Sequence, residues 1–177
     1  MKKPICDWSD DDIKNLIANY ARQGKKEGGL YTLAECHLEI TRRLGGEYSG
    51  REVAEKIVKL SKTSQDGLVT YKELFNSFYP DKHWQGHGSL RVVAKMLGAA
   101  TYYCATTDPL PMVTSVVVQQ VNRAATDNAK KNLFNAATDL GIPTGADYRK
   151  FFAEQAEATR SLDPTLMTKD QGRSTNV

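Results

Sequence analysis

Four times in its first half, the sequence places a hydroxyl residue three positions before a carboxylate. Such a hydroxyl can accept a hydrogen bond from a free N–H of a helix's first turn, and the carboxylate can bond back to the capping residue. This pattern therefore predicts four helix starts and favours a mainly helical fold. The pairs are Ser9 with Asp12, Thr32 with Glu35, Ser49 with Glu52, and Thr70 with Glu73.

Apolar spacing extends these starts into helices. In the first helix the stripe Ile13, Leu16, Ile17 and Tyr20 follows the i, i+3, i+4, i+7 pattern of one buried helix face. The same analysis predicts three further helices after the four capped ones. The seven predicted helices start after Ser9, after Thr32 (ending at Gly45-Gly46), after Ser49, after Thr70 (ending before Pro80), and near Ser89, Thr126 and Asp147.

One segment does not follow the helical pattern. Proline breaks helix at Asp108-Pro-Leu-Pro111, and the following Met112–Val121 (MVTSVVVQQV) is rich in β-branched residues, which predicts a strand. A lone strand is marginal, so residues 28–31 or 66–70 are expected to pair with it. The expected fold class is mainly α with a small β element (α+β). The expected division is a helical unit at 1–63, a second unit at 64–162 and a flexible tail at 163–177.

A repeat relates the first two units. Leu30–Glu35 (LYTLAE) matches Leu68–Glu73 (LVTYKE), and Arg51–Ala54 (REVA) matches Arg91–Ala94 (RVVA). Each copy is a capped helix, a glycine-containing turn and a second helix that opens near an arginine, which is the order of a helix-turn-helix unit. Two ordinary helical hairpins in a bundle would give the same order, so the repeat leaves both interpretations open.

Composition limits the function classes. The net charge is only +3, which argues against broad electrostatic coating of nucleic acid and allows a local basic face. The chain shows neither an apolar run long enough to span a membrane nor a secretory signal, and its three cysteines are odd in number and far apart. These features predict reduced thiols in a cytoplasmic protein.

No arrangement of residues predicts catalysis, a metal site or a cofactor. His83 and His87 are four apart, but Gly86 and Gly88 disfavour a helix there and no third ligand is near in sequence. Cys36 and His37 point about 100° apart on a helix, so they do not form a nucleophile–base pair. A metal-dependent nuclease remains a third class, to be separated by metal content and plasmid nicking.

The strongest nucleic-acid candidates lie at the starts of the second helices, which dock in the major groove in helix-turn-helix proteins. The second unit is favoured because no acid follows Asp81 up to Arg91. The alternative interpretation of these residues is an ordinary solvated charged face. The candidate residues are Arg51, Lys82, His83, Ser89, Arg91 and Lys95.

Two resemblances bear on the context. Gly67–Leu74 (GLVTYKEL), Ser89–Ala94 (SLRVVA) and Leu110-Pro111 before a valine-rich segment make residues 67–118 similar to the winged-helix DNA-binding part of alkyltransferase-like proteins. The alkyl-accepting Pro-Cys-His-Arg motif of that family is absent, so the resemblance implies a DNA-binding scaffold without alkyl transfer. The first 60 residues, with Trp8–Ile13 (WSDDDI), resemble helical modules beside restriction endonucleases, which implies phage or mobile-element biology.

Together these observations predict a non-enzymatic DNA-binding protein that docks its second helices on DNA. The alternative is a protein-interaction module, an inhibitor or adaptor of a host enzyme. The modest charge and the apolar segment Met112–Val121 favour that alternative, because an exposed strand edge could pair with a partner.

Overall fold

The computed structural model describes residues 3–107 and 110–167, and of Leu166 the backbone only. The fold is mainly helical with one small two-stranded sheet, which confirms the predicted class at that level. The described residues also form three short 3₁₀-helices, which are Ile5–Asp7 before the first helix, Val113–Val116 before the second strand, and Pro164–Met167 after the last helix. The other elements are α1 (Asp10–Gln23), α2 (Leu33–Gly45), α3 (Gly50–Thr63), β1 (Val69–Thr70), α4 (Tyr71–Phe78), α5 (His87–Thr106), β2 (Val117–Val118), α6 (Asp127–Asp139) and α7 (Tyr148–Ser161).

Three of the four hydroxyl–carboxylate pairs act fully as predicted, and the fourth acts in part. Ser9, Thr32 and Thr70 each accept from the backbone N–H three residues on, and the partner carboxylate accepts from the cap's own N–H. Ser49 caps α3 through its side chain alone. Because each cap satisfies N–H groups that the helix itself leaves unpaired, the starts of α1 to α4 are fixed locally.

The predicted strand at Met112–Val121 is wrong in length. Residues Val113–Val116 form a 3₁₀-helix, and only Val117–Val118 pair with a strand. The partner is β1, within the predicted range 66–70, in parallel register with Val69 opposite Val117. β1 is short because Gly67, two residues before it, adopts a left-handed φ of +67° and Thr70 already caps α4, so the ladder ends after two pairs.

The main core crosses the sequence division proposed at 63/64. Val53 and Ile57 of α3 are fully buried in one cluster with Leu74 of α4 and Met96 of α5. A smaller cluster of Ile13, Tyr31 and Cys36 joins α1 to α2. The three-part division stays a prediction, and the main core continues through its first boundary.

Glycines allow α5 to pack closely against the α2–α3 connection. A Cβ built on Gly50 would lie 2.2 Å from the Ala99 carbonyl oxygen, and one on Gly45 would lie 2.8 Å from the Ala99 Cα. Real Cβ atoms do not approach other atoms this closely, so these two positions require glycine. Gly45, expected only to stop α2, therefore also permits the contact with α5.

Two arginines hold distant segments together. The Arg43 guanidinium donates to the carbonyls of Ile5 and Trp8 and to the carboxylates of Glu39 and Asp10. It therefore fixes the N-terminal segment to α2. The hydrogen bonds from Arg42 and Arg43 hold the pKa of the buried Glu39 carboxyl below its ordinary value.

Arg123 is the second such arginine. Its guanidinium donates to both oxygens of Asp66, to Glu73 and to the Leu68 carbonyl, at 2.8 to 3.0 Å. These bonds hold the pKa of Asp66 well below its usual range. The loop after β2 is thereby anchored to the entry of β1 and to α4.

The end of the chain is partly built into the fold. Met167, within the segment expected to be a flexible tail, is buried in the main core. Residues 168–177 of that tail and the predicted helix-breaking pair 108–109 lie outside the described residues. Among the residues described, no helix combines the length and apolar character needed to cross a bilayer.

Candidate nucleic-acid interface

The connection from α4 to α5 is held by packing and by one internal hydrogen bond. Trp84 packs edge-on against Phe75 at a centroid distance of 5.5 Å. The Ser89 hydroxyl accepts the Gln85 backbone N–H at 2.9 Å. Gly86, with a φ of +52°, then turns the chain into α5. The loop is therefore an ordered platform beside the start of α5.

Ser89 differs from the other candidate residues. Its side chain is buried, with 4% of the residue exposed, and its hydroxyl is engaged by Gln85. A small polar residue at a helix start can either contact a ligand at the surface or cap a turn internally, so the sequence could not distinguish these two roles. Ser89 therefore stabilises the entry into α5, and its nearly buried side chain contributes to the cleft wall rather than to the exposed surface.

Lys82 and His83 are exposed in this loop, as expected for surface contacts. The Lys82 ammonium lies 4.1 Å from the centroid of the Tyr79 ring, a cation–π distance. Both residues line a cleft of about 480 Å³. Its other walls include Tyr48 from the α2–α3 connection and Gly88 from the first turn of α5.

The cleft has an aromatic side and a charged side. Tyr48, Phe75 and Tyr79 contribute rings, and the Tyr48 and Tyr79 hydroxyls are 2.7 Å apart. Burial and the hydrogen bond with Tyr79 raise the pKa of Tyr48. Glu47 also lines the cleft and is its acidic residue.

Arg91 and Lys95 lie on the exposed side of α5 and are one turn apart. Gly88 and Val92 line the cleft, and each lies three residues before one of these two cations. Since residues three apart are neighbours on a helix surface, Arg91 and Lys95 lie beside the cleft wall. The sequence has no Asp or Glu from Lys82 to Thr107. We call Lys82, His83, Arg91 and Lys95 the basic surface.

Arg91 is unlike the other described arginines, because it alone among them has no hydrogen-bond or ion-pair partner. A guanidinium presents five donors in a planar fork that matches phosphate and guanine acceptors. These donors of Arg91 face solvent. The paired arginines are Arg22, Arg42, Arg43, Arg51, Arg123, Arg149 and Arg160.

Arg51, which matches Arg91 in the repeat, has a different environment. Its Nε donates to Glu55 at 3.0 Å, one turn along α3, and its side chain is about one-third exposed. It does not line the cleft. The two arginines therefore occupy matching positions in the repeat, but a neighbouring carboxylate balances the charge of Arg51 and no described carboxylate balances that of Arg91.

Two of the three cysteines lie in the core. Cys36 and Cys104 are buried, and burial raises the pKa of each thiol, that of Cys104 to about 11. Within residues 3–107 and 110–167, no three His, Cys, Asp or Glu side chains come together as metal ligands would.

Comparison with known proteins gives no relative. No protein-family model, no curated protein and no solved structure matches the chain.

Proposed function

We propose that the protein binds DNA without catalysing a reaction and that it does so through the basic surface, which spans the α4–α5 loop and the exposed side of α5. The observation that carries the proposal is the unpaired Arg91 guanidinium. It stands on an exposed helix face in a stretch with no acidic residue. In a chain whose other described arginines are all paired, a free fork of donors fits an acidic ligand that is supplied from outside.

The geometry supports the second helical unit over the first. In the second unit α4 leads through the ordered loop to α5, and the first exposed turns of α5 carry Arg91 and Lys95. A helix that presents cations in its first turns suits the major groove, where phosphate contacts position the protein and arginine reads guanine. The helix-turn-helix and winged-helix interpretations belong to this proposal.

The alternative interaction-module hypothesis draws less support from the valine-rich segment than the sequence indicated. Val117 and Val118 of β2 are buried and paired with β1, so this part of the valine-rich segment presents no open apolar edge. Val121 beyond it is 97% exposed, but a single exposed apolar residue is normal on a protein surface. We therefore propose DNA binding alone.

The first test is anisotropy titration of duplex DNA over a series of salt concentrations. We expect Arg91→Ala to weaken binding about tenfold and to reduce the slope of log K against log salt by about one unit. Arg149→Ala is the matched control, since it removes the same charge from an exposed arginine that pairs with Asp127. An affinity that falls equally in both variants, or no binding by the unaltered protein, would contradict the proposal.

A further inference from the structure

The cleft beside α5 has features that the docking of a duplex does not use. It is about 480 Å³, within the range of small-ligand pockets, and combines rings with a few polar groups. The walls of the cleft include the rings of Tyr48, Phe75 and Tyr79, which are partly or fully buried and which a duplex held by Arg91 and Lys95 does not need. A ligand that uses these aromatic walls would itself be flat and small enough to enter the cleft.

The cations define one end of such a ligand. Lys82 and His83 line the cleft and are exposed, and neither has an ion-pair partner among the described residues. Lys82 rests over the Tyr79 ring, which places a positive charge directly beside an aromatic wall. A ligand that joins a flat ring system to an anionic group would satisfy both features.

The remaining polar groups favour a base over a simple aromatic acid. Glu47 offers a carboxylate acceptor and Gln85 offers an amide, both exposed and both on the cleft wall. A phosphate would be repelled by Glu47 and attracted to Lys82, whereas the amino and ring N–H groups of a base can donate to Glu47. The polarity of the walls also argues against a purely apolar ligand.

We propose that this cleft binds a single unstacked nucleotide, with the base against the aromatic rings and the phosphate at Lys82 and His83. The nucleotide comes either from a strand held on the basic surface or from solution as a free mononucleotide. The inference rests on the proposed function only where the nucleotide belongs to a strand held on the basic surface. It deepens that function by naming an unpaired nucleotide as part of the ligand.

Gly88 allows a test that preserves the fold. A Cβ added there meets no atom within 4 Å, and the residue lies in the first turn of α5 on the cleft wall. Alanine or leucine in place of a helical glycine reduces backbone freedom in the unfolded chain, so both variants should unfold at or above the temperature of the unaltered protein. Gly88→Leu adds a bulky side chain to the cleft wall, and Gly88→Ala adds only a methyl group there.

The probes are dAMP, inorganic phosphate, a short oligothymidylate and a duplex, with binding followed by Trp84 fluorescence in a Trp8→Phe background and by anisotropy. We expect dAMP to bind more tightly than phosphate alone. Gly88→Leu should weaken dAMP binding about tenfold, which is the loss expected for one stacked base. The dAMP affinity of Gly88→Ala should lie between those of the unaltered protein and Gly88→Leu. Arg91→Ala should leave dAMP binding within about twofold while it weakens binding of the duplex.

The outcomes separate the two proposals. Equal binding of dAMP by Gly88→Leu and the unaltered protein, or phosphate binding as tight as dAMP binding, would overturn the nucleotide site and leave duplex binding to the Arg91 test. If the oligothymidylate displaces dAMP, a strand supplies the nucleotide. If dAMP binds and the oligothymidylate does not displace it, the free nucleotide is the ligand.

Discussion

Burial divides the three cysteines into two chemical classes. Cys6 is exposed near the N-terminus, whereas Cys36 and Cys104 are buried. Burial disfavours a thiolate, and it raises the pKa of Cys104 to about 11, although a hydrogen bond from the Val113 N–H acts in the opposite direction. Since the thiolate is the reactive form, the two buried thiols are inert at neutral pH.

We therefore expect one thiol per chain to react quickly with a disulfide reagent at pH 8, and three after unfolding in denaturant. Because the pKa of Cys104 is raised, its thiolate would become abundant only as the pH approaches 11, so this thiol should stay slow between pH 7 and 9. Burial also raises the pKa of Cys36, so we expect that thiol to be slow as well. Cys6→Ser should abolish the fast phase. Two fast thiols in the folded protein would show that a buried cysteine is more accessible than the structure indicates.

Residue-level roles were only partly visible in the sequence. The exposure of Lys82, His83, Arg91 and Lys95 agrees with the expectation, because charged residues near glycine turns rarely enter a core. The role of Ser89 could not be seen, since its partner is a backbone N–H. The Arg123 cluster was missed because its acidic partners Asp66 and Glu73 lie far away in sequence and meet it only through the β1–β2 pairing.

At the scale of elements, local signals predicted the helices and missed the length of the strand. A cap and a carboxylate three residues later act within one turn, so the starts of α1 to α4 follow from sequence alone. β-branched composition predicts a strand but carries no information on its partner. Val113–Val116 turn into a 3₁₀-helix because β1 offers only two residues for pairing.

The approach of α5 to the α2–α3 connection gives a prediction on elements. Gly50→Ala would place a methyl group 2.2 Å from the Ala99 carbonyl oxygen, so the helices must separate. We expect a loss of about 3 kcal/mol in the free energy of unfolding, at the upper end for overpacking, measured by urea titration. Gly88→Ala is the control on α5, where the added methyl meets no atom and stability should hold or rise. Equal stability of the two variants would contradict this packing.

At the scale of the whole molecule, the two tryptophans report on different clusters. Trp8 packs edge-on against Tyr31 in the small cluster of α1 and α2, and Trp84 packs against Phe75 in the main core. The sequence divides the chain at 63/64, but α3 lies in the main core. The chain joins the two clusters at Gly45 and Gly50, and both of these glycines contact Ala99.

This arrangement predicts that the described fold unfolds as one cooperative unit. α2 carries Cys36 of the small cluster and also ends against α5, so loss of the main core removes the support on which the small cluster is built. In urea titrations of the single-tryptophan variants Trp8→Phe and Trp84→Phe, the transition seen by each remaining tryptophan should coincide with that seen by circular dichroism of the same variant. A Trp8 transition well below the circular-dichroism midpoint would instead identify residues 1–63 as a separate unit.

Gly50→Ala extends the test, because weakening the contact with Ala99 should lower both tryptophan transitions together if the clusters share one folding unit.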